Sequence, residues 1–204
     1  MRRIFAVLPV LLALAVLLGS CTTPTACMEE ATAFRAALCN AGGCSFQAEI
    51  TADHGDYTTT FTLQCRYDTQ SGALDFTVAA PESISGIAGT VDTDRKTVTF
   101  AATALETPLL AAEKLAPVAL PQVLGESWAG SYIAQAGSDH AYTVVLYQNG
   151  YEDDTLQVET WFSEGAPVYA SIWYDGVSQA GVKLSDFQLY EAFGSKAPSA
   201  GSQA

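Results

Sequence analysis

The sequence predicts a mostly β (α+β) fold: a large curved antiparallel sheet with a short helix before it and a central helical insertion. Three observations predict it. From Cys44 onward the spacing of apolar residues changes from a helical period to strict alternation. Turn-forming clusters separate the alternating runs, at 54–55, 68–72, 92–95, 149–150, 165–167 and 175–176. One stretch alone, 108–137, interrupts the alternation and carries Pro117 and Pro121.

The first residues precede that pattern and read as an export leader. Arg2 and Arg3 are followed by an apolar run from Ile4 to Leu18, too short and too abruptly ended for a membrane-spanning helix. Leu18-Gly19-Ser20-Cys21 resembles a bacterial lipobox, which implies cleavage before Cys21 and a diacylglycerol on its sulfur. The chain then divides into a lipoprotein signal peptide at 1–20, a lipid-anchored tether at 21–27, a folded domain at 28–192 and a flexible tail at 193–204. Fully extended, the tether reaches only about 20 Å, so the domain is held close to the bilayer. Loss of the leader removes two arginines and no acid, taking the net charge from −13 to −15. Such a surface repels nucleic acid and gains nothing from anionic headgroups, so the expected attachment is to the cell membrane, on its extracytoplasmic face, through the Cys21 lipid.

In the folded region, Ala31, Phe34 and Leu38 share one face of a short helix over 28–38, stopped by Asn40-Ala-Gly-Gly43. Next, Cys44, Phe46, Ala48, Ile50 and Ala52 alternate with polar residues, and Tyr57, Thr59, Phe61, Leu63 and Cys65 do so on the return. With His54-Gly55 as a two-residue turn, Ala48 faces Phe61, Phe46 faces Leu63, and Cys44 faces Cys65 in a non-hydrogen-bonded pair. An exported chain with an even set of cysteines reads as disulfide-forming, so Cys44–Cys65 is the expected cross-strand disulfide. Cys27 and Cys39 are left without assigned partners; on one continuous helix they would lie about 18 Å apart, too far to bridge.

Further strands are predicted at 73–79, 86–91, 96–101, 142–147, 155–162, 168–174 and 182–190, and helix within 122–136. A meander of this size with so little helix to cover its apolar face either closes on itself or encloses a hollow. The side chains expected to line that face are Phe46, Ile50, Phe61, Leu63, Leu74, Phe76, Val78, Val144, Leu146, Val158, Phe162 and Ile172. Alternation does not distinguish a cavity lining from a packed core.

The succession of short helix, long hairpin, meander, helical insertion and final strands resembles the LolA-like lipoprotein-carrier superfamily, with its LppX-type lipoproteins and RseB-type envelope-stress regulators. The resemblance is carried by LQVETWFSEGAPVYASIWYDGVSQAGVKLSDFQLY, 156–190, and by LDFTVAAPESISGIAGTVDTDRKTVTF, 74–100. It covers most of 28–190 and implies a half-open β-barrel with the helical insertion as its lid. The family carrier is a soluble shuttle with a different cysteine pattern, so shuttling does not transfer to a chain with a lipobox.

Catalytic and metal-binding classes find little support. His54 and His140 fall in turns, and neither a G-x-S-x-G elbow nor H-E-x-x-H is present. Glu152-Asp153-Asp154 lacks the spaced oxygens of a calcium loop, and no cysteine pair has zinc-site spacing; no metal or cofactor is expected. Trp128, Trp161 and Trp173 read better as packing under the insertion or an edge than as a sugar site. Two function classes remain: a membrane-anchored, non-enzymatic protein binding the acyl chains of a lipid or lipopeptide between sheet and lid, and an envelope sensing or protein-interaction module on the same scaffold without a lipid ligand.

Overall fold

A computed structural model describes residues 24–53, 58–92, 97–100, 105–108, 110–111, 114–115, 117–149, 156–174 and 176–190. The leader, the lipobox with Cys21, the turn residues His54-Gly55, the acidic run 152–154 and the tail at 193–204 lie outside these residues. Among the described residues no helix is long and apolar enough to cross a membrane.

Helix α1 spans Pro24–Ala41. It starts before the predicted helix and takes in the last residues assigned to the tether. The cause is Cys27, which is fully buried and extends the apolar stripe of Ala31, Phe34 and Leu38 one turn back toward the N-terminus. Gly42, at φ +80°, ends the helix in the left-handed conformation that glycine adopts without strain. Cys27 and Cys39 therefore sit on one helix and cannot bridge each other.

Strands β1 (Gly43–Asp53), β2 (Thr58–Asp68), β3 (Leu74–Ala80), β4 (Ala88–Asp92), β5 (Thr97–Phe100) and β6 (Leu105–Pro108) form one antiparallel meander. A small hairpin, β7 (Leu110–Ala111) with β8 (Lys114–Leu115), and a 3-10 turn at Pro117–Ala119 lead to helix α2, Leu120–Gly130. A second meander follows: β9 (Tyr132–Asp139), β10 (Tyr142–Gln148), β11 (Leu156–Ser163), β12 (Ala166–Tyr174) and β13 (Val177–Leu189). The first and last strands, β1 and β13, join the two meanders into a single eleven-stranded sheet whose edges are β6 and β9. The sheet is not closed. Register shifts in the β2–β3, β1–β13, β12–β13, β11–β12 and β9–β10 pairings supply local bends and extra twist.

Six expectations need correction. The β1–β2 register pairs Asp53 with Thr58, Phe46 with Cys65 and Cys44 with Tyr67. A two-residue offset keeps every side chain on its predicted face, so alternation alone could not detect it. It also undoes the predicted Cys44–Cys65 disulfide: the two become diagonal neighbours, typically about 7–8 Å apart between Cα atoms, where a disulfide needs at most about 6.8 Å. Both thiols are free and buried.

The predicted helical segment 122–136 is helix only to Gly130, and the rest enters β9. Ile133 and Ala136 suit a helical spacing as well as a strand edge, and pairing with β10 decides between them. The two apolar parities of β10 are also exchanged. Val145 and Tyr147 are buried, while Val144 and Leu146, predicted to face inward, point to the outer face. Both parities of that strand are apolar, and its pairing of Val145 with buried Thr160 sets the phase. Finally, 105–115 holds short strands within or beside the stretch read as non-β, and β13 begins at Val177 rather than Val182.

Candidate functional site

The apolar inner face of the sheet is the candidate site. Ten of the twelve predicted lining residues lie on it. Phe46, Ile50, Leu63, Leu74, Phe76, Val78, Val158, Phe162 and Ile172 are buried, and Phe61 is half-buried against the same core. Val144 and Leu146 are the two that the structure removes. Val145, Tyr147, Val91, Val182 and Leu184 belong to the inner face and escaped the sequence reading.

Helix α1 lies over β9, β10, β1 and β13, and α2 lies over β10 and β2. Where the helices meet the sheet, five aromatic rings fill the space. Phe34 of α1 meets Trp128 of α2 edge-on at 6.1 Å and Phe162 of β11 at 4.8 Å. Phe46 and Phe187 lie 5.5 and 6.1 Å from Trp128. Trp128 is fully buried, and its indole N–H donates to Thr160 Oγ1 at 3.1 Å, which accounts for a threonine in the middle of the core. Phe187 reaches the cluster through a bulge. Asp186 takes φ +52°, and β13 changes phase there, so that Leu184 and Phe187 face the same core despite their odd spacing. No simple alternation rule finds that residue.

Polar contacts fasten the helices at their ends. Arg35 of α1 donates to the carbonyl oxygens of Trp128 at 2.9 Å, Ser131 at 2.6 Å and Ser127 at 3.4 Å. These carbonyls lie at the C-terminus of α2, where intrahelical donors run out and a positive charge is favoured. The same guanidinium stands 5.6 Å over the ring of Tyr147. Glu30 of α1 accepts from Thr143 Oγ1 at 2.6 Å, and Gln122 Nε2 donates to the Gly72 carbonyl at 3.2 Å. Tyr67 lies flat against Gly125; a Cβ on that glycine would come within 2.5 Å of the ring.

Burial favours the neutral form of the thiols and phenols on this face. Burial pushes the Cys44 thiol up to about 12, and burial together with neighbouring Cys44 raises Cys65 as well. Burial also raises the phenols of Tyr67 and Tyr147. Among the described residues this face sets protonated thiols and phenols among aliphatic and aromatic side chains. His140 is 90% exposed and pairs with Asp139 at 2.6 Å in the β9–β10 turn, well away from the inner face. Among the described residues no three His, Cys, Asp or Glu side chains are grouped to hold a metal ion.

The architecture is one open antiparallel sheet with helical segments against its inner face. Similar solved structures include a LolA superfamily protein from Nitrosomonas europaea, at 11% identity, covering 83% of this chain and 94% of that one, with a TM-score of 0.44. A putative outer membrane lipoprotein-sorting protein domain from Vibrio parahaemolyticus is 8% identical, covers 78% and 90% of the two chains, and has a TM-score of 0.44. LprF from Mycobacterium bovis is 13% identical over 78% and 93%, with a TM-score of 0.33. These likenesses concern the fold alone. No protein-family model matches the chain. No curated protein matches it either.

Proposed function

We propose that this protein is a non-enzymatic lipoprotein of the cell envelope, anchored by a lipid on Cys21, that receives acyl chains of a lipid or lipopeptide against the inner face of its open sheet. The observation that carries the reading is the pairing of a buried apolar wall with two half-buried aromatic rings at its margin. Phe61 and Phe100 are packed against the core yet keep part of their surface exposed, while Ile50, Leu63, Phe76, Val78 and Val91 behind them are buried. A methylene chain laid against such a wall gains about 0.8 kcal/mol per buried CH₂, so a long acyl chain binds without any polar contact. The aromatic cluster around Trp128 already fills the side under α1 and α2, so the ligand is assigned to the side of β2 to β5, entering past Phe61 and Phe100.

The test is native mass spectrometry of exported protein carrying Cys21→Ala, purified without detergent. Bound lipid is expected, and Phe61→Asp lowers its occupancy while circular dichroism shows the sheet retained. Protein that emerges empty from repeated preparations in lipid-rich cells contradicts the reading. The same cells test the anchor, because Cys21→Ala should move the protein out of the membrane fraction.

A second reading, an envelope sensing or protein-interaction module without a lipid ligand, draws on the Trp128 cluster. Those rings already fill part of the space a ligand would take. Crosslinking in intact membranes favours this reading if one dominant protein partner is trapped by protein that carries no lipid.

A further inference from the structure

The outer face of the second meander carries a cleft that the acyl-chain reading does not use. Its volume is about 310 Å³, and it lies over β9, β10 and β11 on the side of the sheet opposite the helices. The strand registers build it from two cross-strand rows. One runs Gly137, Val144, Trp161, Tyr169, and the other Gln135, Leu146, Glu159, Ser171. Asp139 and Ser138 close the end nearest the β9–β10 turn.

Each part of the cleft has a physical origin. Gly137 has no side chain to cover its neighbour Val144, and a Cβ placed on it would meet nothing within 4 Å. That gap in the outer row leaves the Trp161 side chain as a wall. Trp161 is braced from the far side by Tyr169, edge-on at 5.2 Å. Tyr169 is itself settled over Gly181, where any Cβ would stand 2.6 Å from its hydroxyl. Val144 and Leu146 supply an aliphatic floor, the two residues that the sequence had suggested for the other face.

The lining side chains include two carboxylates, Asp139 and Glu159, and no lysine or arginine. Glu159 is half-buried; burial and then the negative charge of Asp139 push its carboxyl above the ordinary carboxylate value. The lining holds no cationic side chain to set against these two carboxyl groups. Among the described residues, Asp139 pairs with the exposed His140, and Lys183, the residue across from Tyr169, is tied to Glu49 at 2.8 Å. An indole face, an aliphatic floor and two carboxylates together match an ammonium group carried on a short alkyl stem. A neutral sugar would use the indole and bring no charge to meet the carboxylates.

We propose that this cleft is a second binding site, for a primary alkylammonium group, on the outer face of the sheet. Such a group is presented by a lysine side chain or by an ethanolamine headgroup, and the net charge of −13 of the whole protein favours an ammonium group near its surface.

The experiment uses the whole chain in a non-ionic detergent, labelled with ¹⁵N at tryptophan, so that the three indole N–H signals report separately. Trp161→Phe assigns the cleft signal, and the signal of buried Trp128 reports folding. Butylammonium should shift the Trp161 signal saturably and at least tenfold more tightly than butanol. Glu159→Gln should weaken that binding at least fivefold. Gly137→Leu, which fills the cleft at a strand position with free space above it, should abolish the saturable shift and leave the Trp128 signal in place. N-acetyl-lysine N-methylamide and glycerophosphoethanolamine, whose phosphodiester matches a lipid headgroup, then separate the two sources by which binds the more tightly. Equal responses to butanol and butylammonium would reduce the cleft to an apolar patch. Saturable binding of methyl glucoside without butylammonium binding, or no Trp161 shift in protein with an intact Trp128 signal, would overturn the proposal.

Discussion

Cys44 and Cys65 show how one side chain's surroundings set its chemistry. Both point into the core, one opposite Tyr67 and the other opposite Phe46, with no cation among the described residues contributing to either thiol. The cost of burying charge keeps them protonated, Cys44 up to about 12, whereas Cys39 sits exposed near the end of α1. After reduction, iodoacetamide at pH 8 should therefore label Cys39 in the folded protein and leave Cys27, Cys44 and Cys65 unmodified until denaturant is added. Peptide mapping by mass spectrometry reads the result. Rapid labelling of Cys44 or Cys65 in folded protein would contradict the described core. The alternation that placed both cysteines inward was legible in the sequence. Their pairing was not, because a period of two is unchanged by a shift of two residues.

At the scale of elements, α2 depends on a neighbour for its C-terminus. It is largely apolar on all sides, with Leu120, Val123, Leu124 and Trp128 buried, and it carries no basic residue in its last turn. Arg35 of α1 supplies the missing charge from outside the helix. Replacement of Arg35 by Met should cost about 2 kcal/mol, the scale of a charge-assisted hydrogen bond lost from a partly buried site, measured by urea denaturation. Arg35→Lys should recover only part of it, since one ammonium cannot span carbonyls that a planar guanidinium serves together. A loss no larger than that of an exposed residue would show that α2 is held by packing alone. Nothing in the local sequence of α2 points to Arg35, which is separated from Trp128 by the whole of the first meander.

The whole molecule rests on the β1–β13 seam. Each meander is built from local hairpins, but β1 and β13 lie at opposite ends of the fold, and their pairing converts two sheets into one. Ile50 and Val182 face each other across that seam, both fully buried. Ile50→Asp would place an unpaired carboxylate there and should destabilise the protein by several kcal/mol, enough to lose the cooperative thermal transition. Thr51→Asn, one residue along and facing outward, should change stability by no more than about 0.5 kcal/mol. Similar losses from both variants would mean that the seam does not organise the fold.

The sequence by itself determined the faces. Alternating apolar and polar residues set which side chains of β1, β2, β3 and β11 point inward, because strand geometry sends neighbours to opposite sides whatever the strand pairs with. Tertiary structure decided register, phase and occupancy. The offset of β1 against β2, the choice between two apolar parities in β10, and the bulge that turns Phe187 inward each depend on a partner strand that local pattern does not specify. The candidate sites divide the same way. The inner apolar wall could be listed from alternation, whereas the outer cleft exists only because pairing sets Gly137, Val144 and Trp161 side by side on three strands.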